Sequence, residues 1–272
     1  MSQPRESHES LLAGRGTGPR SLRRPVISVV VGYATMVLVL LGVGYLLTHT
    51  FNDSIGRWDE HVNEWFARHR TAAWNDVTKV ATWSLNTVPV IVMAALVAGV
   101  LALRKRFREA VFLVLALVIE ITTFLSVTFV VARPRPDVPR MNATPSTSSF
   151  PSGHTAAATV LFVGVALIVG CCTSRRFLRV AAGVLAALIS ALVGFARVYR
   201  GLHHPTDVFV GVLFGLGCLA IAAIAVRALA PKSSSGATHP ADTRGERVRR
   251  DAAAAALPGA SATDDDRIRT IA

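Results

Sequence analysis

Long apolar stretches separated by short charged segments dominate the chain. A helix needs about 20 residues to cross the roughly 30 Å of hydrocarbon in a membrane. Six apolar stretches come close to or exceed that length: residues 25–47, 83–103, 110–132, 154–172, 178–199 and 206–228. Each is rich in Val, Leu, Ala and Ile and is bounded by charge, proline or glycine. The pattern predicts an all-α, polytopic membrane protein whose domain, residues 25–230, is a bundle of six transmembrane helices.

The two ends of the chain have a different composition from this core. Residues 1–24 are polar and basic, and residues 231–272 are polar without a long apolar run. We predict that both ends are disordered tails. The first apolar stretch is too long for a cleaved signal peptide and no small-x-small site clearly follows it, so we interpret it as a retained signal anchor.

The distribution of charge predicts the orientation of the helices. With the N-terminus in the cytoplasm, most of the 29 Lys and Arg residues fall on the cytoplasmic side, in the tails and in the turns 104–108 and 175–179. The positive-inside rule therefore predicts that both termini are cytoplasmic. Anionic membrane lipids suffice as partners for the basic ends of a chain with net charge +12, so we expect no nucleic-acid partner. The Ala-, Val- and Arg-rich composition is typical of a GC-rich bacterial genome, which makes the outer side extracytoplasmic.

The first outer loop, residues 51–80, contains aromatic residues at helical spacing. Trp58, Val62, Trp65 and Phe66 alternate with charged residues. This spacing favours a helix that lies in the membrane interface with its aromatic face down. An ordinary loop anchored by tryptophans at the membrane edge is the alternative.

Three other features inside the apolar stretches are interpreted as packing. The cysteines, Cys171, Cys172 and Cys218, lie in apolar runs and predict no disulfide framework. Glu120, in the middle of the third stretch, is interpreted as a protonated or paired interior residue, with tuning of a site as the alternative. Gly211 and Gly215 form a small-xxx-small pair, which favours close packing within the bundle over a dimer interface.

Polar residues collect in three segments that this topology places on the outer face. The segments are "ARPRPDVPR" after the third stretch, "FPSGH" at the start of the fourth, and "ARVYRGLHHPTD" between the fifth and sixth. Arginines can bind phosphoryl oxygens in bidentate fashion, and the start of a helix offers free backbone N–H groups. Two histidines can divide nucleophilic attack and proton transfer, and an aspartate four residues after a histidine can fix its tautomer. The combination predicts a site for a phosphate ester, but it does not choose which histidine attacks, nor between His203 and His204.

The order and spacing of these segments resemble the type 2 phosphatidic acid phosphatase (PAP2) superfamily of integral-membrane lipid phosphatases. That pattern is Lys-x6-Arg-Pro, then Pro-Ser-Gly-His, then Ser-Arg-x5-His-x3-Asp. The second part is complete from Pro151 to His154. The third part reads Ala196-Arg197, five residues, His203, three residues, Asp207, and the first part ends in Arg135-Pro136.

The resemblance implies a role for each matching residue. His203 attacks phosphorus and forms a phosphohistidine, Asp207 holds that imidazole in the right tautomer, and His154 protonates the leaving oxygen and then activates water. The implied phosphoryl ligands are Arg135, Arg197, Ser152 and the backbone at Gly153. The resemblance implies no metal and no cofactor.

Two positions depart from the family pattern. Thr128 occupies the substrate-binding position of the family lysine, which removes one positive charge, and a shifted register places Ser126 there instead. Arg133 is a candidate to compensate for the missing charge. Ala196 replaces a serine, which costs at most a hydrogen bond of about 1 kcal/mol.

The sequence therefore predicts a metal-independent lipid phosphatase of the cytoplasmic membrane with an extracytoplasmic active site. An isoprenoid diphosphate, phosphatidic acid or phosphatidylglycerol phosphate fits the site equally well as a substrate. Three alternatives remain open. They are a phosphotransferase with an acceptor other than water, a non-catalytic lipid-phosphate binding or transport protein silenced by Thr128, and a structural membrane protein with a chance motif match.

Overall fold

The computed structural model describes residues 22–84, 86–143 and 147–229, and this part of the chain contains helices and loops without a strand. The helices are α1 Arg23–Tyr45, α2 Arg57–Arg68, α3 Ala72–Trp83, α4 Thr87–Leu103, α5 Phe107–Thr128, α6 Gly153–Ala158, α7 Gly164–Cys172, α8 Arg176–Tyr199 and α9 Pro205–Ala228. π-helical turns extend α1, precede α2 and join α6 to α7 into one rod. Helix α1 begins within the predicted tail 1–24; the rest of that tail, and the tail 231–272, lie outside the described residues.

The described helices confirm an all-α, multi-pass membrane protein. Five of them are long and apolar enough to cross a membrane: α1 with its π-helical extension, α5, the rod Gly153–Cys172, α8 and α9. A sixth span results only if α3 and α4, which meet at a bend of 57°, are counted as one broken span. The predicted stretch 83–103 is thus divided differently, because Trp83 ends α3 and the extended backbone of Asn86 starts α4.

The outer surface of the described bundle is strongly apolar. Leu38, Val100, Phe129, Phe177 and Leu188 are all exposed. Such a surface is costly in water and is accepted by hydrocarbon. The burial pattern therefore agrees with the long apolar helices in indicating a membrane environment.

Helix α9 lies at the centre of the packing and positions the site. It contacts α5, α1 and α6 along its length. A Cβ atom on Gly211 would lie 2.8 Å from the Ser152 carbonyl oxygen, and one on Gly215 would lie 2.8 Å from the Ala156 carbonyl oxygen. The predicted packing role of these glycines is confirmed, since their missing side chains let α9 approach the start of α6.

Helix α2 forms in the predicted first outer loop, but its aromatic residues do not share one face. Trp58 and Trp65 are exposed, whereas Phe66 packs edge-on against an aromatic side chain of α8. The buried residues of α2 are the polar Asp59 and Asn63, one helical turn apart. The helix is therefore docked on the protein through a polar face, and its position in the membrane interface stays a prediction.

Candidate active site

Direct hydrogen bonds join the three polar segments that the sequence singled out. The backbone N–H of Ser152 donates to the carbonyl oxygen of Asp207 at 3.1 Å. The guanidinium of Arg135 donates to the carbonyl oxygen of Leu202 at 2.7 Å. Residues far apart in the chain thus meet at one end of the bundle, where the loop after α5, the start of α6 and the α8–α9 connection come together.

His203 is buried, and its tautomer is set by a backbone carbonyl. Its Nδ1 lies 2.6 Å from the carbonyl oxygen of Ser149. Because a carbonyl only accepts hydrogen bonds, Nδ1 carries the proton and Nε2 keeps a free lone pair. Burial, followed by the positive charges of Arg197 and Arg135, lowers the pKa of His203 well below its usual value. The imidazole is therefore neutral at pH 7, which is the form that a nucleophile requires.

Asp207 does not orient His203 as the His-x-x-x-Asp spacing predicts. The Asp207 carboxylate is 4.0 Å from Nδ1 of His203, and it instead accepts hydrogen bonds from the backbone N–H of His204 at 2.9 Å and from Nδ1 of His204 at 3.2 Å. The reason is that α9 begins only after His204. His203 therefore lies outside the helix, and the contact between residues four apart that a helical turn provides is not formed. Asp207 instead forms the capping box at the start of α9. The carbonyl oxygen of Ser149, and not Asp207, binds Nδ1 of His203.

His204 has the opposite electrostatic environment from His203. Its Nε2 lies 3.1 Å from the carboxylate of Glu60, and its Nδ1 faces Asp207. Burial and the charge of Arg133 lower the pKa of His204, but the hydrogen bond and charge of Asp207, with the hydrogen bond to Glu60, outweigh them and raise the pKa above its usual value. Because both ring nitrogens face carboxylate oxygens, which only accept hydrogen bonds, the geometry favours the doubly protonated form of His204. The structure separates the two neighbouring histidines, which composition alone could not do.

Two arginines near His203, the buried Arg197 and the half-buried Arg135, have buried hydrogen-bond donors without a partner. Within the described residues, the Nε atoms of Arg135 and Arg197 have no hydrogen-bond partner. Arg197 is 6% exposed. Burial, followed by the charge of Arg140, lowers the pKa of Arg135, whereas the charge of Asp207 raises it. Buried guanidinium donors without partners are costly, so this arrangement is suited to an anion that supplies the missing acceptors.

A cavity of about 880 Å³ opens onto Arg197, whereas His203 and Arg135 are not among its lining residues. His154 and Arg197 line it together with Asn86 and Asn142 on the polar side. Nε2 of His154 lies 3.2 Å from the side-chain oxygen of Asn86. Sequence reasoning missed Asn86: an Asn before a helix is usually interpreted as a cap, but this side chain makes no cap hydrogen bond and contacts the histidine instead.

Ser152 and Gly153 lie at the start of the rod that carries His154, as predicted. The hydroxyl of Ser152 is fully buried and pairs with the hydroxyl of Thr155 at 2.9 Å. A Cβ atom on Gly153 would lie 2.9 Å from the ring of Phe124. The packing around Phe124 therefore requires glycine at this position, in addition to any approach of a ligand to the backbone.

Thr128 is buried at the end of α5, and its hydroxyl has no hydrogen-bond partner among the described residues. Arg133 does not replace the missing lysine. Both ends of its buried guanidinium are engaged by the carboxylates of Asp59 and Asp207. No group of three or more His, Cys, Asp or Glu side chains suited to a metal occurs in the described part of the chain.

Comparison with known proteins finds a family to which part of the chain is similar. Residues 109–230 match the family model of the PAP2 superfamily. The resemblance drawn from the motifs is confirmed, and the match supports the predicted enzyme class, a phosphatase.

Two solved structures are similar to this protein. The transmembrane PAP2-type phosphatidylglycerolphosphate phosphatase from Bacillus subtilis is 24% identical with a TM-score of 0.55, covering 74% of this chain and 94% of that chain. LpxE from Aquifex aeolicus is 22% identical with a TM-score of 0.49, covering 60% of this chain and 93% of that chain. The first of these likenesses shows that the fold is shared with a PAP2-type membrane protein. No curated protein matches the chain.

The matched PAP2 segment does not include every residue around the site. Asp59 and Glu60 of α2 and Asn86 at the start of α4 lie before residue 109. All three make hydrogen bonds to residues of the matched segment. The site is therefore built from more of the chain than the matched residues alone.

Proposed function

We propose that the protein is a membrane lipid phosphatase that transfers the phosphoryl group of a lipid phosphate or diphosphate to His203 and then to water. One observation carries the proposal. His203 is a neutral, buried imidazole with a free Nε2, and the guanidinium groups of the buried Arg197 and the half-buried Arg135, each with an unpaired donor, lie close enough to lower its pKa. This is a nucleophile placed beside an anion-binding pair.

The proposed reaction has two displacements at phosphorus. Nε2 of His203 attacks phosphorus, the bond from phosphorus to the lipid oxygen breaks, and His154 donates a proton to the departing oxygen. Water then attacks the phosphohistidine, His154 takes the proton from that water, and inorganic phosphate leaves as the phosphorus–nitrogen bond breaks. Arg135 and Arg197 hold the phosphoryl oxygens throughout. Such preorganised charges supply most of the catalysis in phosphoryl transfer.

The shape of the cavity supports a lipid as the substrate. Its lining includes the apolar α4 side chains of Val88, Pro89, Val92 and Met93. Met93 also lines a second groove of about 560 Å³ whose other walls are mainly apolar residues of α3 and α8. A phosphate at the polar end therefore leaves an apolar path for a chain attached to it.

The first experiment measures phosphate release by the purified protein in detergent, with a chelator present, from isoprenoid diphosphate, phosphatidic acid and phosphatidylglycerol phosphate. We expect release of inorganic phosphate that the chelator does not reduce, because the proposed mechanism uses only histidines and arginines. Appearance of a phosphorylated acceptor in place of free phosphate favours the phosphotransferase. Absence of both products for every substrate contradicts the proposal.

The non-catalytic alternative rests on Thr128, which lacks the positive charge of the family lysine. It predicts that lipid phosphate binds without phosphate release, and that His203→Ala leaves binding unaltered. The variant Thr128→Lys distinguishes a phosphatase from a non-catalytic binding protein in the same assay of phosphate release. For the phosphatase we expect release equal to or above that of the wild type, whereas a silenced protein gains release only in the variant.

We propose that both termini are cytoplasmic and that the site faces the extracytoplasmic side of a cytoplasmic membrane. Support comes from a contact between the basic turn 104–108 and the end of α7, which precedes the basic turn 175–179: Arg106 donates to the sulfur of Cys172 at 2.8 Å. These turns therefore lie at one end of the bundle, as positive-inside orientation requires.

The orientation is tested with single cysteines in a chain whose three natural cysteines are replaced by alanine. A membrane-impermeant maleimide is expected to label Asn52→Cys in intact cells, because residue 52 precedes the outer helix α2. Ser174→Cys in the basic turn should react only after the membrane is opened. Labelling in the reverse order contradicts the proposed orientation.

A further inference from the structure

Arg133 joins helix α2 to the start of α9. One end of its buried guanidinium donates to the carboxylate of Asp59 at 2.7 Å. The other end donates to the carboxylate of Asp207 and to the hydroxyl of Thr206, the latter at 2.8 Å. Asp59, fully buried, also accepts the backbone N–H of Thr206 at 3.1 Å. The planar guanidinium thus bridges two carboxylates from helices far apart in the chain.

The backbone of Arg133 leads directly to His203. Its N–H donates to the hydroxyl of Ser148 at 3.2 Å, and its carbonyl oxygen accepts the N–H of Ser149 at 3.0 Å. The carbonyl of the same Ser149 accepts the proton on Nδ1 of His203. Ser149 therefore connects the two residues, since its N–H is bound to Arg133 and its carbonyl oxygen fixes the tautomer of His203.

Asp207 connects Arg133 to the start of the rod Gly153–Cys172, which contains His154. Its carboxylate accepts a hydrogen bond from the guanidinium of Arg133. Its backbone carbonyl accepts the N–H of Ser152, two residues before His154. An error in the placement of Asp207 therefore shifts both histidines relative to each other. Displacements of about 1 Å in a reacting group cost about 100-fold in rate.

We propose that Arg133 and Asp59 are positioning residues of the active site, and that helix α2 is therefore part of the catalytic machinery. The inference rests on the proposed function, since it assigns these residues to the geometry of the same two histidines. Neither residue is available to bind substrate, because both ends of the Arg133 guanidinium are engaged by carboxylates and the buried carboxylate of Asp59 is paired with Arg133 and Thr206.

Steady-state kinetics of Arg133→Gln and Asp59→Asn test the inference with the best substrate of the panel. We expect kcat to fall by about 100-fold in each variant, because the histidines lose their relative placement. We expect KM to stay within about threefold, because Arg135 and Arg197 still hold the phosphoryl group. The kcat of the double variant should be no lower than that of the less active single variant, since each single change already breaks the bridge between Asp59 and Arg133.

Matched controls come from the exposed side of α2. Arg68→Gln and Glu64→Gln make the same chemical changes in the exposed pair of this helix and are expected to keep wild-type kinetics. If Arg133→Gln does not fold, Asp59→Asn and Asp59→Glu decide the question, because both preserve an acceptor for Thr206. Wild-type kcat in folded Asp59→Asn overturns the inference, whereas Asp59→Glu, which keeps the carboxylate, is expected to retain more activity than Asp59→Asn. A loss carried by KM also overturns it, since that makes the pair a substrate ligand.

A spectroscopic measurement separates this inference from the proposed function. In protein labelled with ¹⁵N-histidine, the resonance lost in His203→Ala identifies His203 among the 8 histidines. We expect that resonance to report a proton on Nδ1 in the wild type and a mixture of tautomers in Asp59→Asn. An unchanged tautomer overturns the inference even if no lipid phosphate is hydrolysed, whereas a changed tautomer in an inactive protein leaves only the proposed function contradicted.

Discussion

Replacing His203 with alanine is expected to abolish phosphate release, with a loss of about 10⁴-fold or more, as for other covalent nucleophiles. No neighbouring group can replace it. His204 is the nearest imidazole in the sequence, but both of its ring nitrogens are engaged by the carboxylates of Asp207 and Glu60. The measurement is release of inorganic phosphate from lipid phosphate, with trapping of phosphoprotein in base, where phosphohistidine is stable.

The matched control for this change is His61→Ala, which removes an exposed imidazole of α2. It should keep both turnover and the base-stable phosphoprotein. Wild-type turnover in His203→Ala, or a phosphoprotein of normal yield in that variant, contradicts the assignment of His203 as the nucleophile.

The assignment of His203 as the nucleophile also predicts how kcat/KM depends on pH below neutrality. The pKa of His203 is lowered by burial and then by two arginines, so this imidazole remains unprotonated below pH 6.5, the ordinary histidine pKa. Protonation removes the lone pair on Nε2, and the rate attributable to His203 falls only when the pH drops through the lowered pKa. We therefore expect the free-enzyme kcat/KM to show no loss from His203 between pH 7 and pH 6.5.

The second large effect is expected for His154→Ala, which removes the proton donor and acceptor. Release of phosphate from lipid phosphate should fall by about 10²–10⁴-fold. The two roles of His154 can be separated with 4-nitrophenyl phosphate, whose leaving group needs no proton. With this ester we expect a burst of nitrophenol equal to the amount of enzyme, followed by slow turnover, because the phosphohistidine still forms but water is not activated.

The burst distinguishes His154 from a residue that only binds substrate. Loss of a binding group lowers the rate of both displacements and gives no burst. Steady release from 4-nitrophenyl phosphate at the wild-type rate would contradict a role for His154 in the second displacement. His69→Ala, a change to an exposed histidine at the end of α2, is the control.

The arginines near the site divide into two functional groups, and only the structure makes the division. Arg135 and Arg197 retain unpaired donors, which suits them to an anion. Arg133 is saturated by carboxylates, and Arg200 is bound by Asn142 and by carbonyl oxygens in the same region. In sequence all four are arginines of the outer face, and the hydrogen bonds that distinguish them come from residues distant in the chain.

The sequence by itself determined the class of the protein and the position of the site along the chain. Helix length in a membrane is set by the thickness of hydrocarbon, so apolar stretches such as 178–199 and 206–228 predict α8 and α9 to within two residues. The spacing that led to His203, His154 and Arg197 is a local property of the motifs. Local properties can be read directly from the order of the residues.

Tertiary structure alone decided which partner each polar side chain has. Asp207 contacts His204 rather than His203 because α9 begins between them, and Ser149 orients His203 because Arg133 and Asp59 hold its loop. Asn86 reaches His154 across the bend before α4. These contacts depend on where packed helices begin and end, since hydrogen bonds require distances near 3 Å that no spacing along the chain specifies.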